Sequence, residues 1–191
     1  MKYAMGLDIG REGAAVLLKE SSAVCVLHWK QHIKNKAKVY KITSVSTMSR
    51  KPCVTDGVIG SWGLAEGIFA SVASYCMLVG GKIHIAAEDI HVGVNPGTAI
   101  VLAKFGGAIV SRLEPFDPSK EATWVRPPEW RKHILGMKRN TKRDEAKEVS
   151  MARIPGMVEG LDALLDMLDQ RGKEHICDAA GVALYKIFQT G

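Results

Sequence analysis

Three short apolar runs open the chain, Tyr3 to Ile9, Ala14 to Leu18 and Ala23 to Trp29. The turns between them are too short for a crossover, so the runs fold back on one another as an antiparallel meander. Residues 30 to 60 are basic and rich in Thr, Ser and Val, which suits an extended hairpin or a mobile loop. From Ser61 to Val79, Leu64, Ile68, Val72 and Tyr75 recur at helical spacing, and Gly80-Gly81 stops the helix. Lys82 to Glu88 reads as a buried strand. Asn95-Pro96 starts a helix that runs through Ile100, Val101, Phe105, Val110 and Leu113. Gly106-Gly107 inside it costs roughly 1 kcal/mol per residue, which points to close approach of another backbone. Ala122 to Val125 reads as a short strand, and Pro127-Pro128-Glu129-Trp130 begins a helical turn. Thr141 to Met151 reads as a basic helix capped by Asn140 or Thr141 and broken at Pro155-Gly156. Val158 to Leu168 reads as an acidic amphipathic helix, and Glu174 to Phe188 as the last helix. This order predicts an α/β chain with a mixed five-stranded sheet, an antiparallel meander then βαβ units, flanked by helices on both faces.

A length of 191 residues fits one domain, with a basic extension at about 30–60 and an extra helical segment at about 155–172. Hydrophobic residues at 47% and charged residues at 24% exclude disorder for most of the chain. The net charge of +6 is unevenly spread. Lys30, Lys34, Lys36, Lys38, Lys41, Arg50 and Lys51 give residues 28 to 51 a charge of +7 with no acid, and residues 120 to 153 carry +5. Two such blocks suit solvated faces or two phosphate-contacting surfaces. Cys25, Cys53, Cys76 and Cys177 form no CxxC pair, which argues against a zinc knuckle and for buried thiols in a reducing compartment. No signal peptide and no membrane-length apolar run is read in the chain, so an intracellular location without membrane contact is expected.

Three acids sit where solvated acids normally do not. Asp8 ends the run Met5-Gly6-Leu7, Glu88 ends Ile83-His84-Ile85-Ala86-Ala87, and Asp178 lies between Ile176-Cys177 and Ala179-Ala180. Desolvating a carboxylate is expensive unless a partner or a metal compensates. If the strands bearing Asp8 and Glu88 are parallel neighbours, both acids reach the same sheet edge, and a helix across that edge adds His175 and Asp178 from one face. Such an oxygen-rich site suits Mg²⁺, and two ions can drive phosphodiester hydrolysis. The plainer alternative is that Asp8 caps a turn, Glu88 pairs with a lysine, and His175 and Asp178 form a surface pair. Asp89 points to the other strand face and is the weaker candidate. The Gly10/Gly13 turn lacks both the GxGxxG and the GxxxxGK[ST] pattern, which discards a dinucleotide or P-loop reading.

In order along the chain, Gly6-Leu7-Asp8-Ile9-Gly10, Ile85-Ala86-Ala87-Glu88-Asp89-Ile90 and His175-Ile176-Cys177-Asp178-Ala179-Ala180 with Ala183-Leu184 resemble the RuvC family of Holliday junction resolvases. The resemblance implies an RNase H-like fold and a homodimer that cuts branched DNA at a four-way junction. It implies two Mg²⁺ ions, with Mn²⁺ as a substitute, held by Asp8, Glu88, His175 and Asp178 as metal ligands and catalytic residues. Pro128-x-Trp130-Arg131-x-x-x-x-Gly136, followed by Lys142, resembles the family's basic region. Arg131 and Lys142 are then expected at the scissile phosphate or its neighbours, with Lys132, Lys138, Arg139 and Arg143 on other phosphates. His91 stands where some members stack an aromatic residue on junction bases. The helix after Glu88, with Gly97, Gly106 and Gly107, is expected at the dimer interface. The longer segments 30–60 and 155–172 suggest a divergent branch, viral or organellar, located in the cytoplasm or nucleoid or in a host cell. No helicase partner is indicated. The competing functions are an RNase H-like nuclease for RNA–DNA hybrids or packaging DNA, and a non-catalytic junction-binding protein. A sugar-kinase or actin-like ATPase needs two such domains, and 191 residues are too few.

Overall fold

The computed structural model describes residues 2–34, 37–47, 53–58, 60–78, 80, 82–90 and 96–190. Its centre is a seven-stranded sheet in the order β5-β4-β3-β2-β1-β6-β7. The meander forms as expected, from β1 (Tyr3–Asp8), β2 (Glu12–Lys19) and β3 (Ser22–Lys34). β4 (Ala37–Ser46) and β5 (Cys53–Val58) then continue it antiparallel, so residues 30–60 add two strands to the five expected. The β-branched residues that made this stretch hard to read are the ones that suit a pleated surface. On the other side, β6 (His84–Glu88) runs parallel to β1, and β7 (Thr123–Val125) runs parallel to β6.

Alternation along the strands splits the core in two. Met5, Leu7, Leu17, Leu27 and Trp29 face α1 (Gly60–Leu78) and α2 (Pro96–Leu113). Val16, Leu18, Val26, Ala86 and Val125 face α3 (Pro127–Leu135), α4 (Arg143–Met157), α5 (Leu161–Leu165) and α6 (Gln170–Gln189). On this second face α6 lies across β1 at very short range. A Cβ at Gly6 would stand 2.0 Å from the Ala179 carbonyl oxygen and 2.5 Å from the Ala183 amide nitrogen. The run Ala179-Ala180-Gly181 is small for the same reason, since a Cβ at Gly181 would meet the Trp130 ring at 2.3 Å.

The helical boundaries on this face differ from expectation. α4 starts at Arg143 after Lys142, because the Thr141 hydroxyl donates to the Lys138 carbonyl instead of capping the helix. It also runs through Pro155, whose missing N–H forfeits one hydrogen bond in the last turn. The expected helix over 158–168 shrinks to α5, entered through Gly160 at φ +78°. α6 begins earlier than expected, at Gln170, capped by the Asp169 carboxylate, which accepts from the Gly172 N–H at 2.8 Å.

On the opposite face, a Cβ at Gly106 would meet the Ile9 side chain at 3.2 Å, so this glycine serves packing against the sheet. Gly97 and Gly107 are exposed. No helix among the described residues is long and apolar enough to cross a membrane.

Candidate metal centre

The parallel register of β1 and β6 pairs Gly6 with Ala86 and Leu7 with Ala87. The next residues, Asp8 and Glu88, therefore emerge side by side at the carboxyl edge. Both lie on the even-numbered face with Gly6 and Ala86, the face covered by α6. That helix crosses the edge and delivers Asp178. One carboxylate oxygen from each of Asp8, Glu88 and Asp178 lies within 4.8 Å of the others. Asp8 and Asp178 are buried, and Glu88 is partly exposed.

His175, one turn before Asp178, stands beside this triad. Its Nδ1 is 2.6 Å from Asp8 Oδ2. Burial works against a proton on this imidazole, but the hydrogen bond and charge of Asp8, with Glu12 and Asp178 behind it, raise its pKa above the ordinary value. Asp178 is pushed up to about 6, chiefly by burial and also by Asp8, against the opposing pull of Arg131. Glu88 rises well above the usual carboxylate range, through burial first and then the charges of Asp8 and Asp178. Glu88 and Asp178 thus hold protons that isolated carboxyls would release.

α3 closes the site. Trp130 Nε1 donates to Glu88 Oε1 at 3.1 Å, and the Trp130 ring rests on Gly181 of α6. The neighbouring Arg131 donates through Nη2 to Asp178 Oδ2 at 3.1 Å, with its guanidinium 5.0 Å from the Trp130 ring centroid. On the far side, His28 of β3 stacks on His175, with ring centroids 6.1 Å apart, and its Nε2 lies 3.3 Å from Glu12 Oε1. Trp130, His28 and Glu12 received no role from the sequence. Trp130 and Arg131 had one signal: adjacent residues behind Pro127-Pro128 at a helix start, where two donors can face one edge.

The donor set fits a hard divalent cation. It is all oxygen, it comes from three separate elements, and Asp178 Oδ1 is buried without a hydrogen-bond partner among the described residues. Asp8, Glu88 and Asp178 are the residues that would hold the ion, with His175 against Asp8.

The other expected contacts distribute differently. Arg131 reaches the acids. Lys132, Lys138, Arg139, Lys142 and Arg143 are exposed and have no ion-pair partner among the described residues. Lys132, Lys138 and Arg139 line a cleft of about 790 Å³ with Arg126, Glu129, His133 and Asn140. Two other cations on this face are paired, Lys30 with Asp169 at 2.6 Å and Lys147 with Glu174 at 2.7 Å. His91 lies outside the described residues.

No family model matches the sequence, and no curated protein does. Solved structures do match. A structure of T. thermophilus RuvC in complex with Holliday junction substrate is similar over 100% of this chain and 95% of that one, with TM-score 0.53 and 13% identity. A second Thermus thermophilus RuvC structure is similar over 98% and 95%, with TM-score 0.53 and 14% identity. The chain thus has the α/β, RNase H-like fold of these proteins, with the carboxylate triad at its sheet edge.

Proposed function

We propose that this protein is a metal-dependent endodeoxyribonuclease that resolves four-way DNA junctions as a homodimer. The observation that carries the reading is the convergence of Asp8, Glu88 and Asp178 within 4.8 Å at the edge where β1, β6 and α6 meet. The likeness to a RuvC solved with a Holliday junction supports branched DNA as the substrate class.

Two Mg²⁺ ions, or Mn²⁺, would supply an activated water and neutralise charge on the phosphodiester. The chain's own side chains do the rest. Asp8, Glu88 and Asp178 hold the ions. His175 orients Asp8 through its 2.6 Å hydrogen bond, and Trp130 orients Glu88. Arg131 is the cation in contact with the acids and is assigned to the scissile phosphate or its neighbour. Lys132, Lys138, Arg139, Lys142 and Arg143, left without carboxylate partners among the described residues, take further phosphates.

The dimer contact is assigned to α2. Its outer face carries Gly97, Ile100, Val101 and Gly107, with Ile100 57% and Val101 52% exposed. Small residues beside exposed apolar ones suit a two-fold helix contact. Light scattering should return twice the 20.8 kDa chain mass.

The test offers a four-way junction, a linear duplex and an RNA–DNA hybrid of matched sequence, each with Mg²⁺ and with chelator. The junction should be cut with Mg²⁺ only, and Asp8→Asn should abolish cleavage. Cleavage by Asp8→Asn at the parent rate removes the metal-site reading. Equal rates on duplex and junction remove the junction reading alone.

A further inference from the structure

Asp8, Ala14 and His28 stand in one row across β1, β2 and β3. Asp8 pairs with Ala14, and Ala14 pairs with His28. Side chains in register on neighbouring strands share a face, and here it is the face under α6, with Val16 and Val26 two residues further along β2 and β3. Two strand spacings separate Asp8 from His28, roughly 10 Å, and the residue between them is the small Ala14. His175 enters this gap from α6. Its Nδ1 is 2.6 Å from Asp8 Oδ2 on one side. On the other side its ring lies over His28, with centroids 6.1 Å apart and 19° between the planes, within the range of offset-stacked rings.

His28 is costly where it stands. It sits in the otherwise apolar run Val24-Cys25-Val26-Leu27-His28-Trp29 and is only 4% exposed. Glu12 Oε1 lies 3.3 Å from its Nε2, yet that nitrogen makes no aligned hydrogen bond among the described residues. A buried polar atom left in this state lowers stability, and an apolar side chain of similar size avoids the penalty. The first turn of α6 is nevertheless built around this ring. A Cβ at Gly172, one turn before His175, would stand 3.1 Å from His28 Nδ1. Glu12 Oε2 is 3.9 Å from Arg171 Nη1, so one carboxylate links the outer edge of His28 to the start of α6.

We propose that His28 is a positioning residue of the metal centre: with Asp8 it forms a clamp that holds the His175 ring in one plane, so that His175 in turn fixes the Asp8 carboxylate. The proposal rests on the nuclease reading above and names a further part of the same site. A single hydrogen bond to Asp8 fixes one point of the imidazole and leaves its plane free to turn. The stack on His28 removes that freedom, and Ala14 leaves the room for it. His28 stands two strands away from Asp8 and acts through His175, as an outer partner that orients a ligand's neighbour.

The test uses the full chain and reads two quantities. One is Mn²⁺ affinity without DNA, from the relaxation of water protons. The other is the single-turnover rate of junction cleavage in Mg²⁺. His28→Leu keeps an apolar bulk and removes the flat ring. It should lower both quantities by about 10- to 100-fold, the range for residues that orient a metal ligand. His28→Phe keeps a flat ring and removes both nitrogens, so it should recover most of both losses. Neither variant should melt below the parent, since each deletes the unbonded Nε2. A residue that served packing alone would leave Mn²⁺ affinity unchanged in a variant that melts with the parent. Gly172→Ala presses on the same ring from α6 and should lower both quantities as well.

Parental Mn²⁺ affinity and rate in His28→Leu overturn the proposal. Equal losses in His28→Leu and His28→Phe also overturn it, because the nitrogens and not the stacked ring would then matter. If His28→Leu does not fold, Gly172→Ala decides, and parental values in it overturn the clamp. The two readings fail separately. A protein that shows the loss and rescue of Mn²⁺ affinity but cuts no DNA keeps the clamp and loses the nuclease. A protein that cuts junctions, with His28→Leu at parental rate and affinity, keeps the nuclease and loses the clamp.

Discussion

Without divalent ions, the protein should be less stable at pH 7.5 than at pH 5. The Asp178 carboxyl is shifted from 3.8 to about 6, with burial as the main cause. The folded state therefore keeps a proton that the unfolded chain releases, and stability falls as pH rises through this window. The full gap is worth about 3 kcal/mol, and about 1.5 kcal/mol of it falls between pH 5 and 7.5. Glu88, also raised, acts in the same direction. His175 is raised as well, so its contribution is present below the ordinary imidazole range and is lost as pH climbs through its folded value. His28 opposes them, because burial lowers its pKa and its contribution is lost as pH falls. Three groups against one leave a net loss on going to pH 7.5. Urea unfolding followed by circular dichroism, in chelator, measures the difference directly. At pH 7.5, Mg²⁺ at about 100 times its Kd should restore about 2.7 kcal/mol. At pH 5 the gain should shrink, since the ligands must first lose protons. Asp178→Asn should remove most of the Mg²⁺ gain and reduce the pH difference. Equal or higher metal-free stability at pH 7.5, with Asp178→Asn indistinguishable from the parent, would refute the reasoning.

Gly6→Ala should destabilise the fold by about 3 kcal/mol or more, because the new methyl meets backbone atoms of α6 that cannot rotate away. Urea midpoints measure it, and a loss under 1 kcal/mol would show that α6 shifts easily. Trp130→Phe keeps the ring against Gly181 but deletes the donor to Glu88. Mn²⁺ affinity at pH 7 should fall by about 10- to 100-fold while the melting temperature changes by only a few degrees. Unchanged affinity would mean that Glu88 needs no orienting partner.

The sequence showed the site more fully than the fold around it. Asp8, Glu88 and Asp178 were legible because a carboxylate in an apolar run has few physical excuses, and the parallel β1–β6 pairing brought the first two together as anticipated. The Ala179-Ala180-Gly181 run looked like ordinary helix filler. Its meaning, close approach to β1 and room for the Trp130 ring, depends on residues far away in the chain. The same holds for Trp130, His28 and Glu12, which reach Glu88, His175 and His28 across 42, 147 and 16 residues of chain only after the sheet has formed. Residues 30–60 were ambiguous because a basic, β-branched stretch satisfies both strand and loop statistics, and only pairing partners decide. Helix ends were misread where a local rule lost to context, as at Pro155, tolerated in a last turn that has little to lose.

The placement of α6 ties stability to chemistry. The contact that removes a side chain from Gly6 also fixes how far Asp178 sits from Asp8, two positions along β1. A looser packing would relieve the carboxylates and lower the raised pKa values of Glu88 and Asp178, and would equally dissolve the candidate cation site. The fold accepts a repulsive cluster in its interior and compensates it in part with Arg131 from α3 and His175 from α6 itself. That compensation is incomplete, since Asp178 Oδ1 has no hydrogen-bond partner among the described residues. A site assembled only for stability would have replaced these acids with apolar residues. Phosphate, repelled by the same acids, would need positive charge close by, and the exposed cations following β7, without ion-pair partners among the described residues, are placed to offer it.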